Sequence, residues 1–204
     1  MRAEKRSTDV RKVEIVRAAL SLISSGGLKA LSVAAIARTC GLAPSAVYRH
    51  FKGKEEIIDG VLDLIGGMLA ENLDRALVPA SAPAEALKRL FELHIRMIMK
   101  NGGIPRLVFS DEIYGRRPDR KRKMYCAIRG YLSGIEELVR RAQQNGAMDN
   151  AHPPEAWAYL FLGLVQPAAI LWHLSDGRED MVRLSSGAWE VYAEAARLRA
   201  ETHK

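Results

Sequence analysis

The sequence predicts an all-α fold of about nine helices and no sheet. Apolar residues recur at intervals of three and four positions along most of the chain, which is the spacing of one helix face. The alternation of apolar and polar residues that is typical of strands is confined to short stretches. Of the 204 residues, 48% are hydrophobic, so the chain has enough apolar side chains to bury a core and disorder is not expected.

Each of the first four predicted helices has a start or a stop signal. Hydroxyl and carboxylate side chains cap helix N-termini, proline suits the first turn, and glycine ends a helix because it adopts the left-handed conformation at little cost. The starts are Ser7–Asp9 for the first helix, Ser32 for a short second helix over 33–39, Pro44 for a short third helix to about 50, and Lys54 for a long fourth helix to about 77. The stops are Gly26–Gly27, Gly41 and Gly53.

Beyond residue 77 the breakers are prolines and Asn-Gly or Asp-Gly pairs, which favour turns. The helices predicted between them cover 84–100, 104–113, 119–144, 154–174 and 179–200. Residues 156–175 carry no formal charge over twenty positions, which is long enough to cross a bilayer. Gln166, Pro167 and His173 lower the hydrophobicity of this stretch, so we favour a core or subunit-interface helix over a membrane span, and no membrane partner is expected.

The formal net charge of +7 is concentrated near the N-terminus. Residues 1–54 hold eleven basic and three acidic side chains, whereas residues 55–204 are close to neutral. A small basic module joined to a near-neutral body suggests a polyanionic partner for the module, although a merely solvated basic surface would have the same composition.

Several function classes lack support in the sequence. The two cysteines, Cys40 and Cys126, are too few for a disulfide framework or a zinc cluster, and they fit a reducing, cytoplasmic setting. The charged N-terminus has no apolar stretch typical of a signal peptide. No phosphate loop, nucleophile elbow or His-Glu metal helix occurs, so we expect no enzyme activity, no metal and no cofactor.

The sharpest functional signal lies in residues 32–54, which predict a helix-turn-helix. Ala34, Ala35 and Ala37 are small enough to let a second helix approach closely, Gly41 supplies the turn, and Val47 can fill the space between the helices. A short second helix can place its N-terminal residues in the major groove of DNA.

Residues 8–58 resemble the DNA-binding domain of the tetracycline-repressor (TetR) family of bacterial transcriptional regulators. The resemblance rests on Ala18–Leu20, Gly27, Ser32, Val33, Ala35–Ala37, Gly41, Leu42, Val47–Phe51 and Lys54–Ile57. It implies an N-terminal three-helix DNA-binding domain over 1–53, and a C-terminal helical domain over 54–204 for dimerisation and ligand binding.

The same resemblance implies roles for individual residues. Pro44, Ser45 and Ala46 match positions that face bases; Ser45 can form hydrogen bonds, and Ala46 can touch a thymine methyl group. Tyr48, His50 and Lys54 match positions that contact phosphates, and Arg49 lies beside them. Ser32 can cap the second helix and hold its N-terminus toward a phosphate. Ala43 departs from the family pattern, which often has a capping Ser or Thr there. Three alternatives stay open: Tyr48 packs in the core, His50 caps the C-terminus of its helix, and Lys54 is simply solvated.

The resemblance also implies a homodimer formed through about 154–174 and 179–200, bound to a palindromic double-stranded DNA operator. We expect a dimeric repressor that a small apolar or amphipathic effector releases from DNA. The alternative is a regulator of the same fold without a small-molecule ligand, which acts through a protein partner or as an activator. The basic N-terminal residues Arg2, Lys5, Arg6 and Arg11 could add nonspecific or minor-groove contacts.

Aromatic, methionine and histidine side chains on the predicted inner faces could contact such an effector, or could be plain core. The candidates are Met68, Phe91, His94, Met97, Phe109, Tyr125, Trp157, Phe161 and Trp172. A separate basic cluster over 116–123 has six basic residues in eight, and helix N-termini disfavour such charge. A solvated loop, an anionic ligand and a second polyanion contact all stay open for this cluster.

Overall fold

A computed structural model describes residues 8–77, 82–115 and 117–198 of the chain. Within these ranges the protein has ten α-helices, one 3-10 turn at Leu28–Ala30 and no strand. The helices are α1 (Thr8–Gly26), α2 (Val33–Thr39), α3 (Pro44–Tyr48), α4 (Lys54–Ala76), α5 (Pro83–Lys100), α6 (Gly103–Val108), α7 (Asp111–Tyr114), α8 (Pro118–Gln144), α9 (Pro154–Leu174) and α10 (Met181–Ala195).

The predicted all-α class is confirmed, but one predicted helix is wrong. The segment 104–113 is divided into α6 and α7 at Ser110, whose backbone is extended (φ −89°, ψ 160°). The Ser110 hydroxyl donates to the carbonyl oxygen of Leu107 at 2.6 Å, so it ends α6 instead of continuing the helix. The last helix begins at Met181, slightly later than predicted, because Asp180 caps it by accepting from the Arg183 N–H at 3.0 Å, and it ends at Ala195.

The helices form two compact units. The first contains residues 1–67 and 101–124, and the second contains residues 68–100 and 125–204. The first turns of α4, together with α6, α7 and the start of α8, therefore pack with the N-terminal helices. The predicted boundary after residue 53, between a DNA-binding domain and a domain for dimerisation and ligand binding, stays a prediction.

The first unit is held together by close packing of α6 on α1. The core beneath these helices includes Ile15, Ala19, Leu20, Ile23, Ile57, Ile58 and Leu62. Gly103, the first residue of α6, lies so close to α1 that a Cβ atom there would be 2.5 Å from the Leu20 carbonyl oxygen and 3.0 Å from the Ser24 nitrogen. Only glycine fits at this contact without displacement of the backbone.

The second unit is built around α5, α9 and α10, which meet in a cluster of aromatic rings. Phe91 stacks on Trp189 with ring centroids 5.1 Å apart, and Trp189 stacks on Tyr192 at 5.5 Å. Phe161 and Trp157 meet these rings edge-on. The Tyr192 hydroxyl donates to the Trp157 carbonyl oxygen at 3.3 Å, so the only polar atom of that ring is satisfied as it is buried.

Helix α9 buries one side and exposes an apolar stripe on the other. Trp157, Phe161 and Val165 face the core of the second unit. The exposed side includes Tyr159, Leu160, Gly163, Pro167, Ile170, Leu171 and Leu174. By length and hydropathy α9 could also cross a bilayer. A single helix of this kind is weak evidence for a membrane span, because an apolar helix with one side packed in a protein core has the same length and composition.

The basic cluster over 116–123 is not the solvated loop that its composition suggests. Pro118 opens α8, and Arg117, Arg120 and Lys123 form ion pairs with acidic residues of α4. Lys121 and Arg122 stay exposed, and Arg116 lies outside the described residues.

Candidate nucleic-acid interface

Helices α2 and α3 form the predicted helix-turn-helix. Gly41 has a positive φ of 66°, which lets the Leu42 N–H return to the carbonyl oxygen of Ala37 at 2.8 Å. Ile36 of α2 and Val47 of α3 are both fully buried. The turn and these two side chains fix the angle between the short helices, with the support of α1 beneath them.

Ser32 caps α2, as the sequence predicts. Its hydroxyl oxygen accepts from the Ala35 N–H at 3.1 Å, and its backbone is extended, as is usual for an N-cap residue. Because the side chain is exposed, the cap and the first N–H groups of α2 are available to an anion.

The start of α3 is open to a ligand. Pro44 and Ser45 are exposed, and Ala46 is half-buried. Ala43, which precedes the helix, forms no side-chain cap, in agreement with its departure from the family pattern. Ser45 therefore presents the hydrogen-bonding side chain at the exposed N-terminal end of α3, where base contacts are made in helix-turn-helix proteins.

The end of α3 carries the predicted phosphate-facing side chains. Tyr48 is 57% exposed and Arg49 is exposed, whereas Phe51, three residues further on, is buried. His50 is half-buried, and its Nδ1 is enclosed without a hydrogen-bond partner among the described residues. Tyr48 and Arg49 can thus reach a phosphate directly, while His50 is partly enclosed in the protein.

Lys54 has a structural partner that the sequence does not reveal. Its Nζ donates to the carbonyl oxygen of Leu28 at 3.1 Å, which ties the first residue of α4 to the 3-10 turn. The Lys52 N–H donates to the Glu56 carboxylate at 2.6 Å in the same loop. Of the basic N-terminal residues, Arg11 pairs with Glu14 at 2.7 Å, and Arg2, Lys5 and Arg6 lie outside the described residues.

The nine candidate ligand residues differ in burial. Phe91, Trp157 and Phe161 share the aromatic cluster, and His94 and Met97 are buried on α5. Met68 and Trp172 are half-buried. Phe109 and Tyr125 are 51% and 65% exposed, unlike the buried candidates.

Two polar contacts interrupt the apolar interior of the second unit. His94 Nδ1 and the Tyr131 hydroxyl are 3.2 Å apart, and both side chains are buried. The Asn72 amide contacts the sulfur of Met97 at 3.5 Å. The described residues contain no group of His, Cys, Asp and Glu side chains that could hold a metal ion.

Burial makes His94 sensitive to acid. It lowers the pKa of His94 from 6.5 to about 4, because the enclosed imidazole resists protonation. Between these two values the unfolded chain binds the proton and the folded chain does not, so stability falls as the pH is lowered from 6.5 towards 4. We expect His94 to contribute about 3 kcal/mol of acid sensitivity over this window. Urea titrations from pH 7 to pH 4.5 will be less pH-dependent for His94→Gln, and equal pH dependence would contradict the assignment.

The sequence profile of "Bacterial regulatory proteins, tetR family" matches residues 15–61, which include the whole helix-turn-helix. The fatty acid metabolism regulator protein of Bacillus subtilis is 21% identical over 179 residues, covering 88% of this chain and 92% of that protein. The nucleoid occlusion factor SlmA of Idiomarina loihiensis is 22% identical over 145 residues, covering 69% of this chain and 74% of that protein.

Among solved structures, the transcriptional regulator FadR from Bacillus subtilis, in complex with stearoyl-CoA, is similar in fold. The TM-score is 0.72 at 20% identity, over 88% of this chain and 96% of that chain. The matched residues 15–61 include α2, α3 and the exposed start of α3. Residues 15–61 therefore match the tetR family of bacterial regulatory proteins, and the chain is similar in sequence and in fold to transcriptional regulators.

Proposed function

We propose that the protein is a dimeric cytoplasmic repressor that binds a palindromic operator and is released by a small apolar or amphipathic effector. The observation that carries the proposal is the exposed start of α3, with Ser45 at its tip and Tyr48 and Arg49 at its far end. This arrangement offers one hydrogen-bonding side chain for bases and two side chains for the backbone phosphates.

The exposed apolar stripe of α9 supports the dimer. A row of leucine, isoleucine and tyrosine side chains at helical spacing loses contact with water when it meets a second copy, which is favourable. Gly163 and Pro167 lie in this stripe and have little bulk, so two α9 helices can approach closely. Dimer symmetry then predicts two recognition helices in major grooves about 34–36 Å apart, or a multiple of that distance.

The buried aromatic and methionine side chains of the second unit support an apolar or amphipathic effector. The similar Bacillus subtilis regulator has been solved with stearoyl-CoA, a ligand that combines a long acyl chain with an anionic head. We propose an effector of this general chemistry for the present protein. Titration of the protein–operator complex with stearoyl-CoA, with free coenzyme A as the control, tests the class: release by the acyl form alone is expected. Equal release by both, or by neither, argues against it.

The operator prediction is tested by selection of binding sites from a random DNA pool. We expect an inverted repeat, because a two-fold symmetric dimer places equivalent residues on two half-sites. Ser45→Ala is expected to change the preferred bases within each half-site, whereas Ser25→Ala, at an exposed serine of α1, serves as the matched control and leaves them unchanged. Identical sites for the Ser45→Ala variant and the wild type would place the base-reading residues elsewhere.

A regulator that acts through a protein partner, without a small-molecule ligand, is the second candidate. The similarity to a nucleoid occlusion factor favours it, since that name describes a role other than metabolite sensing. Specific operator binding that no acyl-CoA affects, together with capture of a defined protein by the DNA-bound form alone, distinguishes this candidate from the ligand-released repressor.

A further inference from the structure

The basic cluster at the start of α8 contains a buried guanidinium that the proposed function does not use. The Arg120 side chain is only 1% exposed, although arginine is almost never fully buried unless it is paired. Four of its five N–H donors are used. Nε donates to Asp59 at 2.7 Å, one terminal nitrogen donates to Glu112 at 2.7 Å, and the other donates to both the carbonyl oxygen and the carboxylate of Glu55, at 2.9 and 3.0 Å.

These contacts join two segments that are far apart in sequence. Glu55 and Asp59 lie on the first two turns of α4, and Glu112 lies on α7. Two outer ion pairs extend the contact along the same face of α4, from Arg117 to Glu55 at 2.8 Å and from Lys123 to Asp63 at 2.7 Å. Burial opposes the charge of Arg120, but the hydrogen bonds and charges of Asp59 and Glu55 outweigh it and raise the pKa of Arg120.

The position of α4 in turn determines the position of α3, the recognition helix. Only residues 49–53 separate the end of α3 from the start of α4. Phe51 in this loop is buried against α4, where a Cβ atom at Gly60 would be 3.5 Å from its ring. The segment that carries Glu112 and Arg120 is also fixed to α1 through Gly103. Residues 101–124 therefore brace both helices that flank α2 and α3.

We propose that Arg120 is a positioning residue for DNA binding, whose planar guanidinium fixes the base of the helix-turn-helix by joining α4 to α7. It acts through α4 and does not touch DNA. This inference rests on the DNA binding of the proposed function. Arginine is required because a lysine ammonium cannot donate in one plane to Asp59, Glu112 and Glu55 at the same time.

A purely electrostatic effect and a positioning role for Arg120 predict opposite results for the variant Glu112→Gln. Glu112→Gln removes a negative charge from the first unit, which contains the helix-turn-helix, so electrostatics alone would strengthen binding to phosphates. Positioning predicts the reverse, with affinity for the selected operator weakened about threefold, because one arm of the Arg120 contact is lost. Glu92→Gln, which removes an exposed carboxylate paired with Arg96 at 3.6 Å, is the matched control and is expected to leave affinity unchanged.

Arg120 itself is tested by Arg120→Gln and Arg120→Lys, with Lys121→Gln as the control that removes a neighbouring exposed charge. We expect operator affinity to fall about tenfold or more for Arg120→Gln and by a smaller factor for Arg120→Lys, and little for Lys121→Gln. The slope of log affinity against log salt is expected to stay at the wild-type value, since a lost phosphate contact would reduce it by about 0.9. Circular dichroism at the assay temperature confirms that each variant is folded.

The inference is overturned if Arg120→Lys and Glu112→Gln bind as tightly as the wild type, if Lys121→Gln loses as much affinity as Arg120→Gln, or if the salt slope falls. Should Arg120→Gln fail to fold, Glu112→Gln and Arg120→Lys decide the question. A wild-type protein that selects no DNA sequence would instead refute the proposed function. The two failures are thus distinguishable.

Discussion

Replacing Leu171 by glutamate is expected to leave the protein monomeric and to weaken operator binding by about a hundredfold or more, because the second half-site then has to be bound separately. Leu171 is 48% exposed and lies towards the C-terminal end of the apolar stripe of α9. In a two-fold symmetric interface the substitution would bury two carboxylates, one from each copy, without partners, and each would cost several kcal/mol.

Sedimentation equilibrium at micromolar concentration measures the first effect, and titration of a fluorescent operator measures the second. Leu160→Glu, on the same stripe, is expected to behave in the same way. Met99→Glu is the matched control, because Met99 is 41% exposed on α5 and lies outside the stripe. If Leu171→Glu sediments as a dimer like the wild type, α9 is not the dimer interface.

Gly103→Ala is expected to destabilise the protein by about 1–3 kcal/mol, because the added methyl group overpacks a tight helix contact. Its Cβ atom would meet the Leu20 carbonyl oxygen at 2.5 Å and the Leu20 Cδ1 atom at 2.9 Å. The carbonyl belongs to the backbone of α1 and cannot rotate away, so α6 has to move as a whole.

Gly130→Ala is the matched control for this substitution. Gly130 lies within α8 with no neighbouring atom within 4 Å of a Cβ position, so alanine there is expected to stabilise the helix by about 0.5–1 kcal/mol. Urea denaturation compares the two variants with the wild type. Equal stability of Gly103→Ala and the wild type would mean that α6 has room to withdraw from α1.

The elements predicted best from sequence are those with local signals. Ser32 caps α2 and Gly41 makes the turn because both effects depend on a few neighbouring residues. The break at Ser110 has no local signal, since serine is also common inside helices and its hydroxyl bond to Leu107 becomes visible only in the structure.

The site residues were predicted less completely, because their roles depend on contacts between distant segments. Arg120 pairs with Asp59 across 61 residues of sequence, and the composition of the cluster over 116–123 gives no sign of this partner. Lys54 was expected to face phosphate, and its bond to the carbonyl oxygen of Leu28 depends on how the 3-10 turn folds beside α4. Neither partner can be identified from local spacing, because no periodic pattern links the paired positions.

The aromatic cluster of the second unit also determines what optical spectroscopy can detect. All three tryptophans of the chain, Trp157, Trp172 and Trp189, lie in that unit, and none lies among the residues of the first unit. Intrinsic tryptophan emission therefore reports on the second unit alone, while far-ultraviolet circular dichroism reports on helices of both. Unfolding curves from the two signals will coincide only if the units unfold together, so the protein carries an internal probe of its own cooperativity.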